Sequence, residues 1–144
     1  MRISKQTKEF KSDISEPCVY EIYNTVSGKR YIGFTGEPKS RFAEHYYSLR
    51  KGNHNLEDMQ ADFNAGDEFE IKCLCKVDTK FYGRENRAVE SLFILHYDSV
   101  EQGYNKNYNQ PNKVNAQMAI QKYAEYIIEC LRNNDISFSL EITP

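Results

Sequence analysis

Arg41 and His45 stand four residues apart in a stretch with helical periodicity, so they share one face. Glu90 is stranger: it falls on the same helical stripe as Phe93, Ile94 and Tyr97. A carboxylate there is costly to bury unless it is paired, hydrogen-bonded or holding a metal. Upstream, Tyr20 and Tyr31 lie on either side of Ser27-Gly28 in two segments rich in β-formers. Together these side chains match the needs of chemistry at a phosphodiester. A tyrosine activates a water if neighbouring cationic groups draw off its proton. An arginine offers paired planar donors to a phosphate and to the charge that builds up on it. A glutamate holds Mg²⁺, which keeps most of its waters and bridges to phosphate oxygens. Taken singly, each has a plainer reading: strand tyrosines that pack, a solvated helix face at Arg41 and His45, and a buried salt bridge at Glu90.

The elements that must position them follow from pattern. Residues 1–16 read as a polar arm ended by Pro17. Cys18 to Asn24 and Lys29 to Phe34 read as the two strands of a hairpin. A two-residue Ser27-Gly28 turn pairs Tyr31 with Asn24 and sets Tyr20, Ile22, Asn24, Tyr31 and Gly33 on one face. Pro38 suits a helix start and Gly52 a helix end, with Phe42, Tyr46 and Leu49 as the apolar stripe between them. A short helix over about 55–64 precedes Glu68 to Val77, whose period-two alternation predicts a strand. A helix over 84–97, an Asn- and Tyr-rich loop to Pro111, and an amphipathic helix over about 114–132 complete the pattern. Ile136 to Ile142 alternates again, as a late strand or a frayed tail would. His54 and His96 are read as a turn residue and a helix residue.

The length of 144 residues suits one domain. No apolar run approaches the ~20 residues of a membrane helix, and the charged first 16 residues lack the apolar stretch of a signal peptide, so a cytoplasmic protein is expected. Cys18, Cys73, Cys75 and Cys130 lack the paired C-x₂₋₄-C spacing of a zinc site and are read as reduced packing thiols. Residues 1–51 carry ten Lys/Arg against six Asp/Glu, whereas 52–144 carry nine against fifteen. A basic first third could meet phosphates, and ordinary surface scatter explains the imbalance as well.

The residues also carry a resemblance. Cys18-Val19-Tyr20 followed by Tyr31-Ile32-Gly33 resembles the paired motif of the GIY-YIG nucleases, with Arg41, His45, Glu90 and Asn105 of Gly-Tyr-Asn following in order. Within that family the chain is most similar to the catalytic domain of phage intron-homing endonucleases, which share a Y-x-I-x-N-T strand and a K-G-x-H turn, here Lys51-Gly52-Asn53-His54. The resemblance implies an α/β (α+β) fold, a small three-stranded, mainly antiparallel sheet flanked by helices. It places the catalytic module at 17–110 and leaves 111–144 as a helical extension packed on it. It implies hydrolysis of double-stranded DNA with one divalent metal, Mg²⁺ with Mn²⁺ able to substitute. Position by position, Tyr20 would be the general base or its partner, and Tyr31 would place water or phosphate. Arg41 would neutralise the transition state, His45 would assist proton transfer, and Glu90 would ligate the metal. Gly33 would permit close approach, and Asn105 would brace the site. The first glycine of the motif is Cys18 here, and no zinc-finger spacing follows the module. A free-standing phage or mobile-element endonuclease is the reading that follows. Its alternatives are a catalytically silent DNA-binding or regulatory module of the same fold, and a nuclease subunit that needs a homodimer or protein partner for DNA recognition.

Overall fold

The computed structural model describes residues 1–78 and 83–137. One two-residue strand and three longer ones form the centre, with helices on both faces. β1 (Arg2–Ile3), β2 (Cys18–Asn24), β3 (Arg30–Thr35) and β4 (Phe69–Lys76) make an antiparallel sheet in the order β1-β4-β2-β3. Period-two alternation divides the side chains of β2 between two cores. Tyr20 and Ile22 join Phe42, Tyr46, Leu49, Met59 and Phe69 beneath α1 (Pro38–Lys51) and α2 (Glu57–Asn64). Val19 joins Ile32, Cys75, Val89, Leu92, Phe93 and Ile127 on the opposite face, beneath α3 (Arg84–Tyr97) and α5 (Ala124–Asn133). Among the described residues no helix is long and apolar enough to cross a membrane.

The fourth strand corrects the expected three. Its source is the polar arm, which is less polar than its composition suggests: Ile3 is fully buried, and Phe10 and Ile14 pack against the α1-side core. The terminal amino group donates to Ile71 O at 2.9 Å, and the Ile71 N–H donates to Met1 O at 2.7 Å. Arg50 and the Tyr46 hydroxyl then hold the carbonyl of Thr7.

The hairpin turn also differs. Tyr20 lies opposite Gly33 and Ile22 opposite Tyr31, so the connection is the four residues Thr25 to Gly28, closed by the Asn24 N–H on Lys29 O at 2.9 Å. The reason is Asn24, whose Oδ1 accepts from the N–H of Val26 (2.9 Å) and of Ser27 (3.0 Å), an Asx turn that outcompetes a tight two-residue turn. The loop is longer by two residues, an even number, so the expected shared face survives the wrong register.

α1 starts at Pro38 without a side-chain cap and ends at Gly52, whose left-handed φ of 81° allows the Gly52 N–H to reach Leu49 O and the Asn53 N–H to reach Ser48 O. The expected single helix after Pro111 is two. α4 (Lys113–Lys122) and α5 meet at Tyr123, whose φ of −108° and ψ of 24° leave the helical basin. α4 lies on α3 while α5 reaches β4, and one straight rod could not follow both. The alternating tail 138–144 lies outside the described residues. All four cysteines are free; Cys73 is half-buried and the others are buried.

Candidate active site

β3 carries the centre of the site, and one glycine on it makes room for the rest. A Cβ on Gly33 would stand 2.7 Å from the Tyr20 ring and hydroxyl, so any side chain there collides with Tyr20. The close approach expected at Gly33 is therefore that of Tyr20 crossing from the neighbouring strand. Tyr20 is fully buried, edge-on to Phe42 with ring centres 5.0 Å apart, and 6.2 Å from the Tyr31 ring.

His45 meets both tyrosines, with ring centres 5.7 Å from Tyr20 and 5.9 Å from Tyr31. It lies within the apolar stripe of α1 and is only 2% exposed, which overturns the solvated-face reading for this residue. Its Nε2 stands 2.8 Å from Tyr20 Oη and its Nδ1 stands 2.8 Å from His54 Nε2. His54 Nδ1 in turn accepts the Leu56 backbone N–H at 3.0 Å. That last bond fixes the others. A backbone N–H can only donate, so His54 Nδ1 is bare and a neutral His54 carries its proton on Nε2. Nε2–H then donates to His45 Nδ1, which leaves the His45 proton on Nε2, donating to Tyr20 Oη. Both rings stay neutral because burial, reinforced by the charge of Arg41, lowers the pKa of His45 to about 3 and of His54 to about 4.

Tyr20 thus receives a hydrogen bond at its oxygen and keeps its own proton, which burial holds well above the ordinary phenol range. Arg41, half-exposed on α1, sets its positive charge near both phenols and lowers their pKa against that burial. Its guanidinium also meets Glu44 at 2.7 Å, a partner exposed enough to be exchanged for a phosphate.

Glu90 arrives from the opposite layer. α3 buries Val89, Leu92, Phe93 and Ile94, and Glu90 sits at the margin of that stripe beside β3. Its charge reaches both tyrosines and raises their pKa. Burial moves the Glu90 carboxyl to about 7, against the pull of Arg87, of the Asn109 amide that donates to Oε2, and of a backbone hydrogen bond at Phe34. Among the described residues no group of three His, Cys, Asp or Glu could cage a metal. A lone carboxylate still suits a hydrated Mg²⁺ completed by phosphate oxygens, since that ion is held by one or two carboxylates rather than by an all-protein cage.

Asn105 lines the open side of β3. Its Oδ1 accepts the Ile32 N–H at 2.8 Å and its Nδ2 donates to Ile32 O at 2.9 Å, as a neighbouring strand would, while Ser99 Oγ donates to the same Oδ1. The residue missed from sequence is His54. Its type and its place just after the Gly52 turn were visible in Lys51-Gly52-Asn53-His54, but nothing in the spacing shows that this turn folds back onto His45.

The site and the fold together define a class. A model of the GIY-YIG catalytic domain matches residues 16–115, and the chain belongs to that family. Among known proteins it is 31% identical over 91 residues to Intron-associated endonuclease 1 of Enterobacteria phage T4, a match covering 60% of this chain and 35% of that protein. The chain thus spans about a third of the length of the curated relative it matches. Among solved structures it is similar to the catalytic domain of the homing endonuclease I-TevI, with a TM-score of 0.56 at 28% identity, over 62% of this chain and 97% of that one. A mutant of the same catalytic domain gives a TM-score of 0.55 at 26% identity, over 63% and 93%.

Proposed function

We propose that this chain is a DNA endonuclease that hydrolyses phosphodiester bonds of double-stranded DNA with one divalent cation, Mg²⁺ or in its place Mn²⁺, and that it serves a phage or mobile element. The observation that carries the reading is the chain of hydrogen bonds from the Leu56 N–H through His54 and His45 to Tyr20 Oη, ending beside Arg41. A buried tyrosine whose oxygen meets a fixed imidazole donor, with an arginine beside it, is set to carry negative charge and so to accept a proton from water. In this reading Tyr20 first gives its own proton to a solvent water, the His45 Nε2–H and Arg41 stabilise the phenolate that remains, and Oη then takes the proton of the attacking water. Tyr31 places the water or the phosphate. Arg41 exchanges Glu44 for a phosphate oxygen and stabilises the charge of the transition state. Glu90 would hold the cation, which supplies further charge neutralisation at the phosphate.

The test is cleavage of supercoiled plasmid by the purified chain with Mg²⁺. Nicking or linearisation is expected, and Arg41→Ala should lower the rate by about 10²–10³-fold, the usual loss for one transition-state donor. Glu90→Ala should abolish it. Retained activity in Glu90→Ala would remove that residue from the cation site, and DNA binding without cleavage across several divalent metals would instead favour a silent binding module. The names of the T4 relative and of I-TevI support this reading because both are called endonucleases.

A further inference from the structure

We propose that Asn109 is a positioning residue, whose side-chain amide orients the Glu90 carboxylate for a divalent cation. The inference rests on the reading of Glu90 as the cation's ligand. A glutamate side chain has three rotatable bonds, and a ligand that must meet a hydrated ion at one angle needs its carboxylate held. Two donors from outside α3 hold this one: the backbone at Phe34 of β3, and the Asn109 Nδ2, which donates to Oε2.

The loop bearing Asn109 is built to deliver that amide. Asn109 has a φ of 60°, in the left-handed region that Asn tolerates better than most residues. Its backbone N–H donates to Asn107 Oδ1 at 2.8 Å, closing a local turn. The carbonyl before it, Tyr108 O, accepts from Ser91 Oγ at 2.9 Å, and Ser91 is fully buried and follows Glu90 on α3. The loop is therefore fastened to the helix one residue from the carboxylate it serves. The donor's chemistry matters too. An amide is neutral, so it fixes the carboxylate without the competing positive charge that Lys or Arg would set in the cation's place.

The test uses Mn²⁺ alone as the probe, added to the ¹⁵N-labelled full chain at pH 8. Paramagnetic broadening of the Gly33, Phe34 and Glu90 amide signals reports the cation's position and its half-saturating concentration. Asn109→Gly keeps the left-handed backbone and removes the amide. It should raise the half-saturating Mn²⁺ concentration by roughly tenfold or more, the usual loss for an outer partner of a metal ligand, with the metal-free fold retained by circular dichroism. A half-saturating concentration within twofold of wild type, or below it, overturns the proposal. Glu90→Gln separates the two ideas. If it leaves the broadening in place, or wild type shows none at these signals, the assignment of Glu90 as ligand falls and this inference with it. If Glu90→Gln abolishes the broadening while Asn109→Gly leaves the concentration unmoved, only the role of Asn109 falls.

Discussion

On the α1 side of β3, Tyr20, His45 and His54 are neutral, buried and hydrogen-bonded in series, from the Leu56 N–H to Tyr20 Oη. On the α3 side the site offers one carboxyl group, pushed by burial to about 7 and held by a loop amide and a strand backbone. The first half is finished when the chain folds: tautomers are set, and no buried side-chain polar atom among the described residues lacks a partner. In the proposed reading a cation completes the second half, its charge offsetting the burial that opposes an ionised carboxylate. Groups that shape charge in the transition state profit from rigidity.

The sharpest way to break this comparison is at the oxygen that ends the hydrogen-bonded series. Tyr20→Phe keeps the ring on Gly33 and removes Oη, so cleavage should fall by about 10²–10⁴-fold, the range for a lost general base. A circular dichroism melt should show the fold retained, and wild-type cleavage by Tyr20→Phe would end the assignment. Gly33→Ala comes next. Its Cβ meets the buried Tyr20 ring, and the ring has the strand beside it and α1 behind it, so overpacking should cost about 1–3 kcal/mol in urea unfolding together with activity.

His54→Ala should cost about 1–3 kcal/mol, because the buried Leu56 N–H and His45 Nδ1 lose their partner, and it should slow cleavage as His45 loses its fixed tautomer. Glu90→Gln should separate from it by losing cleavage with no loss of metal-free stability. The smallest effect is one of pH. The raised pKa of Glu90 means that the fold favours the protonated carboxyl. Its stabilisation is full below the ordinary 4.5 and is lost as pH rises through about 7. The two histidines have lowered pKa values, so their contribution is full above 6.5 and is lost as pH falls through about 4 and then 3. The melting temperature of Glu90→Gln relative to metal-free wild type should therefore climb between pH 4.5 and 7.5. A flat difference would mean that the carboxyl is not buried as described.

The sequence was readable where chemistry is local. Arg41 and His45 share a helix, Tyr20 and Tyr31 share a strand face by parity, and Glu90 betrays itself as a carboxylate in an apolar stripe. The hairpin face came out right although its register did not, because Asn24 adds two residues to the turn rather than one. What sequence could not show are contacts that cross between elements. The stacking of His54 on His45, the docking of Met1 to Ile3 on β4, and the reach of Asn109 to Glu90 all depend on where distant segments meet. Their residue types are ordinary for turns, arms and loops, so no local pattern distinguishes them. The break at Tyr123 was hidden for a related reason: the apolar positions Ile120, Ala124 and Ile127 keep helical spacing straight through it.

Asn105 has a consequence of another kind. A sheet invites further chains to add themselves wherever a strand leaves its backbone groups open, and that invitation ends in fibrils or precipitate. Here one rim is the two-residue β1, too short to template much, and the other is β3, where the Asn105 amide occupies both backbone groups of Ile32. The side chain that steadies Tyr31-Ile32-Gly33 also keeps neighbouring molecules off the strand, so colloidal behaviour and the geometry of the site hang on the same pair of hydrogen bonds.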